Sequence, residues 1–356
     1  MTNDRLFAVI LAGGSGTRFW PRSRGHRPKQ LLDIVGSESM IRQTMGRVAP
    51  LVEPSRIYVV TNEAHRGETR RHLREIPPSN ILTEPVGRNT APAVGYAAAI
   101  VSQVRPDAVM LVLPADHLVA DERKFRTALL KAARYAARSG DLVTLGVRPT
   151  RPETGYGYIR AGRAIGGGFR TVSAFVEKPD RGRAARYVAS GRYFWNSGMF
   201  AWRADAVLRE IRTHLPVLAD GLDEIAARRG GRRQAAVRSV YPGLPSVSID
   251  VGVLEKSERV ACLPVSFKWD DVGSWTALDR ILARGETGNV AHGTHISIDT
   301  KDTLVYSPRK LVATVGVRDL IVVETEDALL VCHKDRAQDV RQVMDQLKAR
   351  RMTEYL

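Results

Sequence analysis

The sequence predicts an α/β fold: a doubly wound, mostly parallel sheet, then a small all-β region closed by a terminal helix. Three observations carry this. Strand-like and helix-like runs alternate over the first 150 residues. The strand-like runs are nearly continuous in apolar residues, as when both faces of a parallel sheet are covered. From about residue 286, short β-branched segments follow one another with turn residues between them. A chain of 356 residues is too long for one ordinary core, so two domains are expected.

The first half reads as strands at 6–12, 56–61, 80–84, 108–115 and 141–147, with helices at 39–49, 63–75, 89–104 and 121–138 between them. In such sheets ligands bind at the carboxyl ends of strands. "GGSGTR" and "PADH" both fall there. From 151 to about 282 the pattern is mixed. "TGYGYI" and "FRTVSAFVEKP" read as strands flanking a turn at 164–168, and "YFWNSGMFAW" precedes a helix over Ala204 to His214. In the tail, "THISID", "TLVYS", "LVATVG", "LIVVET" and "ALLVC" read as separate strands before a helix from about 334 to 351.

Hydrophobic residues make up 44% and charged residues 26%, a soluble globular profile. No apolar run is long enough to span a bilayer. The N-terminus carries an early acid before a short apolar run. Neither a membrane partner nor a signal peptide is expected, and a cytoplasmic location is. Cys262 and Cys332 sit far apart in apolar settings and read as small buried hydrophobes. The formal net charge is +16, from ten lysines and 44 arginines against 38 acids. The arginines are spread along the chain with no basic block, so a nucleic-acid partner is not expected; anionic substrates suit the charge as well.

The stretch "LAGGSGTRFWPRSRGHRPKQ" (11–30) matches neither common phosphate loop. No lysine follows the glycines, as a P-loop requires. The third glycine of a dinucleotide fingerprint would fall on Phe19. What remains is strand, A-G-G-x-G-T-R, then P-K. Glycines let backbone amides approach a phosphate and form an anion nest; Arg18 adds a planar fork. "GG" alone would be an ordinary tight turn. Lys29 and Lys178 are two of only ten lysines in an arginine-rich chain, which suggests that a compact point charge is wanted at each.

That stretch resembles the N-terminal signature of sugar-phosphate nucleotidyltransferases, and with "FWPRS" most of all the mannose-1-phosphate guanylyltransferases (GDP-mannose pyrophosphorylases). The resemblance continues in order through "EPVGRNTAPA", "LPADH", "TGYGYI", "FVEKP", "WNSGMFAW", "SIDVGVLEK" and "KWDDVGSW", covering residues 5 to 282. It implies a Rossmann-like, GT-A-like nucleotidyltransferase domain over 1–282 and a small β-helix-like domain over 286–356. It also implies a reaction: a mannose 1-phosphate oxygen attacks the α-phosphorus of GTP, pyrophosphate leaves and GDP-mannose forms.

The same resemblance distributes roles. Leu11, Ala12, Gly13, Gly14, Gly16 and Thr17 would hold the nucleotide phosphates. Arg18 and Lys29 would stabilise the leaving pyrophosphate, and Lys178 the sugar phosphate. Glu84 would accept the N1–H and 2-amino donors of guanine. Asn89 and Thr90 would join it, though capping of the next helix explains them equally well. Gly157, Glu177, Lys178 and Asn196 would bind the sugar phosphate. Asp116 and Asp271 would hold Mg²⁺, which takes one or two carboxylates plus phosphate oxygens and water. Taken alone, Asp116 could be a turn or cap residue, and Asp270 adjoins Asp271. His117 reads as structural, because Mg²⁺ prefers oxygen. Trp195 and Trp202 read as core. Val251 stands where relatives often carry an aromatic or long polar residue.

Three rivals remain. One is a related nucleotidyltransferase for another sugar 1-phosphate or NTP. The second is a non-catalytic regulatory paralogue, which predicts losses at Arg18, Lys29, Asp116, Lys178 and Asp271; all five are present. The third is a nucleic-acid binder, suggested by charge alone. Relatives often add an isomerase domain that needs clustered histidines. The tail holds only His292, His295 and His333, so no isomerase activity is expected. A small β domain without catalytic motifs more often packs or dimerises than reacts, so a homodimer is expected through it.

Overall fold

The computed structural model describes residues 3–14, 16–282, 285 and 287–356. Ser15 of the glycine loop, and residue 286 at the sequence boundary, lie outside the described residues. The chain forms two compact units, Met1–Gly13 with Ile41–Trp269, and Gly14–Met40 with Asp270–Leu356. Contacts therefore group 14–40 and 270–282 with the tail strands, whereas the sequence places both segments in the first domain.

The first unit contains β1 (Leu6–Ala12), β2 (Ile57–Asn62), β3 (Ile81–Glu84), β4 (Val109–Pro114), β5 (Leu118–Val119), β6 (Leu142–Val147), β7 (Tyr158–Ala164), β8 (Arg170–Val176), β9 (Tyr193–Arg203) and β10 (Val260–Val265); the chain leaves it in β11 (Trp269–Asp270). Nine strands form one sheet in the order β3-β2-β1-β4-β9-β6-β10-β8-β7. β1 to β4, β6, β7 and β10 run one way, and only β8 and β9 run against them. The sheet is thus mostly parallel in direction. Its first five strands by sequence lie within a residue or two of the expected ones, because β1, β2, β4 and β6 are buried almost throughout.

Helices Thr90–Val104, Glu122–Ser139 and Ala204–His214 form where expected. Asp121 caps the second by accepting the Lys124 N–H at 3.0 Å, and Gly140 ends it in the left-handed conformation. The helix expected at 63–75 is shorter: a 3₁₀ turn at Glu63–His65, then Arg66–His72. Besides Trp275–Ile281 of the second unit, three helices were not anticipated, Arg181–Ser190, Pro216–Ala226 and Gly230–Val240. The last is weakly amphipathic and opens on two glycines, so its pattern was faint. Trp195 and Trp202 are 3% and 0% exposed, core residues as the sequence suggested. Cys262 is buried too, and burial pushes its thiol up to about 12, which makes it inert.

The second unit carries β12 (Val290–Ile298), β13 (Leu304–Val315), β14 (Leu320–Glu324) and β15 (Leu329–His333), paired in that order. The first two pairings are parallel and the last antiparallel. "TLVYS" and "LVATVG" are one strand, not two. The intervening "PRK" of β13 is taken up by a register shift, Gly293 pairing with Ser307 and His295 with Val312. Gly293 has a φ of 110°, and a Cβ there would meet Ser307 O at 1.8 Å, so only glycine fits. Helix Val340–Ala349 follows a 3₁₀ turn at Lys334–Asp339.

Aromatic packing explains why "FWPRS" belongs to this unit. Phe19 is fully buried with its ring 5.0 Å from that of Trp275, which lies 5.5 Å from Tyr306. Trp275 donates its indole N–H to Trp20 O at 3.1 Å, and Trp20 donates to Tyr355 O at 3.0 Å. The aromatic residues of "FWPRS" and "VGSW" are therefore core groups of one unit. Phe19→Ala should cost about 3–5 kcal/mol, the usual range for truncating a buried aromatic ring. A denaturant melt of the full chain showing no loss would mean that this ring is not packed as described.

Candidate active site

In the first unit, Glu84 ends β3 and is 3% exposed. A Cβ placed on Gly13 would lie 3.2 Å from Glu84 Oε2, so the chain just after β1 passes directly over this carboxyl. Glu84 Oε1 accepts the Tyr241 hydroxyl, a partner that the sequence did not reveal. Burial pushes the Glu84 carboxyl up to about 7, against the pull of the tyrosine hydrogen bond. Tyr241 packs edge-on to Tyr96, with centroids 6.2 Å apart.

Asn89 is the N-cap of Thr90–Val104, in the left-handed region with φ 66°. Its Oδ1 accepts the Thr90 N–H at 2.9 Å, and the Thr90 hydroxyl accepts the Ile249 N–H at 2.9 Å. The capping explanation thus has direct geometric support for Asn89, while the Thr90 hydroxyl ties the helix start to Ile249 instead.

The four residues assigned to the sugar phosphate come together. A Cβ on Gly157 would lie 2.7 Å from Glu177 Oε2 and 3.5 Å from Asn196 Cβ. Asn196 donates its backbone N–H to Gly157 O at 2.8 Å. Lys178, with φ 44°, pairs its ammonium with Glu177 Oε1 at 2.9 Å and stays exposed. Asn196 Nδ2 donates to Asp250 Oδ1 at 2.8 Å, so Asp250 joins the group. The signal for it was a single acid inside the apolar "SIDVGVL".

Asp116 lies in the turn after β4 and is half-buried. His117 is engaged structurally, its Nδ1 accepting the Trp269 indole N–H at 3.2 Å. In the second unit, Arg18 and Lys29 both grip the loop that carries Asp271. Arg18 donates to Gly273 O at 3.1 Å, and Lys29 Nζ donates to Asp271 O at 2.6 Å. Lys29 is 4% exposed, and a Cβ on Gly16 (φ 63°) would strike its Cβ at 2.3 Å. Asp270 is committed to the loop itself: it accepts the Val272 N–H at 2.8 Å and pairs with Arg280 at 3.1 Å. Of the two adjacent acids, Asp270 is thus the one that builds the turn.

Among the described residues, no three His, Cys, Asp or Glu side chains cluster as a metal cage. Mg²⁺ bound mainly through substrate phosphates needs only one or two carboxylates. Asp116 in the first unit and Asp271 in the second each offer a carboxylate of the kind that mode uses. A cavity of about 680 Å³ within the second unit is lined by cations already matched with acids, Arg22 with Asp33 at 2.6 Å and Arg24 with Asp327 at 2.7 Å.

A mostly parallel sheet with a glycine-rich segment after its first strand and acids at or just beyond strand ends suits a nucleotide-dependent transferase. The nucleotidyl transferase family model matches residues 7–286, and a MannoseP isomerase/GMP-like beta-helix domain model matches 293–347. The chain belongs to the nucleotidyl transferase family. It is 46% identical over 350 residues to xanthan biosynthesis protein XanB of Xanthomonas campestris pv. campestris (97% of this chain, 73% of that protein). It is 41% identical over 371 residues to mannose-1-phosphate guanylyltransferase of Escherichia coli K12 (98% and 75%). A crystal structure described as mannose-1-phosphate geranyltransferase from Thermus thermophilus superposes with a TM-score of 0.88 at 39% identity, covering 97% of this chain and 99% of that one.

Glu84 generates a pH signature. Its folded-state carboxyl titrates near 7, above its ordinary 4.5, so between those values the folded chain holds more protons than the unfolded one. Stability contributed by this group is therefore present below about pH 4.5 and lost as pH rises through about 7, by roughly 3 kcal/mol at most. Glu84→Gln should lose this decline. Melting temperatures that followed pH identically in wild type and variant would show that the carboxyl is not held neutral by burial.

Proposed function

We propose that this chain transfers the guanylyl group of GTP to mannose 1-phosphate, forming GDP-mannose and releasing pyrophosphate, in the cytoplasm. The observation that carries this is the grouping of Gly157, Glu177, Lys178 and Asn196 in a chain that matches mannose-1-phosphate guanylyltransferases over nearly its whole length. A sugar phosphate needs hydroxyl acceptors beside a cation, and Glu177 and Lys178 supply both. No helix among the described residues is long and apolar enough to cross a membrane.

Phosphoryl-type transfer asks a protein mainly for in-line positioning and neutralised charge. Amides of the loop after β1 would bind the triphosphate. Arg18 keeps guanidinium N–H groups beyond the one given to Gly273, and these would take pyrophosphate oxygens. Lys29 is anchored on Asp271 O, so it would act from a fixed position. Lys178 would hold the sugar phosphate and aim its attacking oxygen. Glu84, as a carboxylate, would accept both guanine donors while Tyr241 steadies its other side. Asp116 and Asp271 would hold Mg²⁺, which when bound neutralises phosphate charge and polarises the α-phosphate.

A pyrophosphate-release assay over a grid of NTPs and sugar 1-phosphates tests the reading. GTP with mannose 1-phosphate should have the highest kcat/KM, and a better pair would replace it with the related-transferase alternative. Asp116→Asn and Asp271→Asn should each lower kcat severely with melting unchanged or slightly raised, and the double variant should fall well short of the product of the two losses. Near-normal kcat in either single variant would remove that aspartate from the metal site.

We also propose a homodimer through the second unit. Ile296, Ile298, Leu311 and Val315 on β12 and β13 are all at least half exposed, and Ile298 pairs in register with Val315. A two-fold contact would let this apolar strip cover itself. Light scattering should give a dimer for the wild type and a monomer for Ile298→Glu with Val315→Glu; a monomeric wild type would refute it.

A further inference from the structure

Asn196 has almost no hydrogen-bonding capacity left for a ligand. Its Oδ1 accepts the Thr144 hydroxyl at 3.2 Å and the Gly198 N–H at 3.2 Å, and its Nδ2 donates to Asp250 Oδ1 at 2.8 Å. A primary amide offers two acceptor positions and two N–H groups. Both acceptor positions and one N–H are spent on the protein, which leaves one N–H. Thr144 is fully buried, so its hydroxyl has no water to turn to. Flipping the amide would set its NH₂ against the Gly198 N–H and its oxygen against the Asp250 carboxylate. Two repulsive contacts would replace two attractive ones. Asp250, with the Gly198 N–H, thereby decides which way the remaining N–H points.

We propose that Asp250 is the positioning residue of the sugar-phosphate subsite: its carboxylate locks Asn196 in one amide orientation, so that losing it weakens mannose 1-phosphate and not GTP. This rests on the function proposed above. The placement is specific. Asp250 opens the π-helical turn Asp250–Leu254. Two helices pack on this turn. Thr90–Val104 contains no charged residue. On Ala204–His214 the charges are matched by their own partners: Arg209 with Asp205 at 3.0 Å, His214 with Glu210 at 3.4 Å, and Arg212 with Asp223 at 2.6 Å. The charges that act on Asp250 are thus those of the subsite itself, Glu177 and Lys178. Burial chiefly, then Glu177, pushes its carboxyl up to about 6, while the Asn196 hydrogen bond and Lys178 pull down. The carboxylate needed to hold Asn196 is therefore lost as pH falls through about 6. A phosphate monoester has its own second ionisation near 6, so both contribute to the acid limb.

The test is steady-state kinetics against pH for wild type, Asp250→Asn and Asp250→Glu, with melts of each. Asp250→Asn mimics the protonated acid. It should raise KM for mannose 1-phosphate about tenfold, the weight of one charge-assisted hydrogen bond, and leave KM for GTP unchanged. Its acid limb in kcat/KM for mannose 1-phosphate should shrink to the substrate's single ionisation. Asp250→Glu should restore part of the KM and the second ionisation; it carries the test alone if Asp250→Asn does not fold. An unchanged KM, an unchanged acid limb, or an equal rise for both substrates would overturn the proposal, the last marking Asp250 as merely structural. A wild type that turned over only a different substrate pair would overturn the function proposed above, and this proposal with it. A wild type active on the expected pair with insensitive variants overturns this proposal alone.

Discussion

Strand β9 is the constraint on which the first unit depends. It runs against its neighbours, pairing through Phe200–Arg203 with β4, through residues from Trp195 to Ala201 with β6, and through Tyr193–Trp195 with β7. Among the described residues, no other strand of the sheet touches three partners. Its register sets Asn196 beside Gly146 and sets Trp195 beside Tyr158, which brings Gly157 within a hydrogen bond of Asn196. A slip of one residue would turn Asn196 to the other face and put a tryptophan in its place. Two features hold the register. Phe200 and Trp202 are buried and stacked at 4.9 Å on the same side, and a Cβ on Gly146 would meet Phe194 Cβ at 2.9 Å, so only glycine allows this approach. The packing that makes the core is the packing that positions the subsite.

The second unit solves a different problem, which is to hold a loop still. Val272 sits in the left-handed region with φ 47°, costly for a β-branched residue. The loop keeps that shape because Asp270, Arg18 and Lys29 fasten it on several sides. In these bonds Arg18 and Lys29 give N–H groups to the main-chain carbonyls of Gly273 and Asp271, which anchor both cations. A cation fixed in advance is what stabilisation of developing phosphate charge requires. If Lys29 acts as proposed, structural and electrostatic duties would coincide here, and activity lost on mutating it would combine both.

Most of the sheet was legible in the sequence, because strands buried on both faces announce themselves as continuous apolar runs. Positions of glycines were legible too, but not their reasons: Gly16 yields to the Lys29 side chain, and Gly157 to Glu177. Gly157, Glu177, Lys178 and Asn196, which the sequence assigns together because each lies in a dense local motif, do lie together in the structure. Tyr241 and Asp250 could not be assigned in advance. Tyr241 meets Glu84 across 157 positions and Asp250 meets Asn196 across 54, pairings that no local pattern reveals, though Asp250 stands out as a lone acid in an apolar run. The grouping of "FWPRS" with the tail strands was hidden for the same reason. It depends on Trp275 and Tyr306, distant residues that look like ordinary core.

Glu84 and Asp250 share a physical signature, a carboxyl moved upward by burial and held by a single neutral side-chain donor, Tyr241 in one case and Asn196 in the other. Among the described residues, neither has an arginine or lysine hydrogen-bonded to it. For stability alone this is a poor arrangement, since an apolar residue of similar size would avoid the desolvation cost. A ligand changes the balance. In the proposed reaction guanine brings two N–H donors to Glu84, which would favour its charged carboxylate and lower its pKa, while Asp250 would act on the sugar phosphate through Asn196. Binding would then release protons near neutral pH, and the stability given up by the empty protein would return as selectivity for ligands that carry donors. Perturbed acids of this kind gather where binding and catalysis need them. The two found here stand at opposite ends of the proposed reaction, one by the base and one by the sugar.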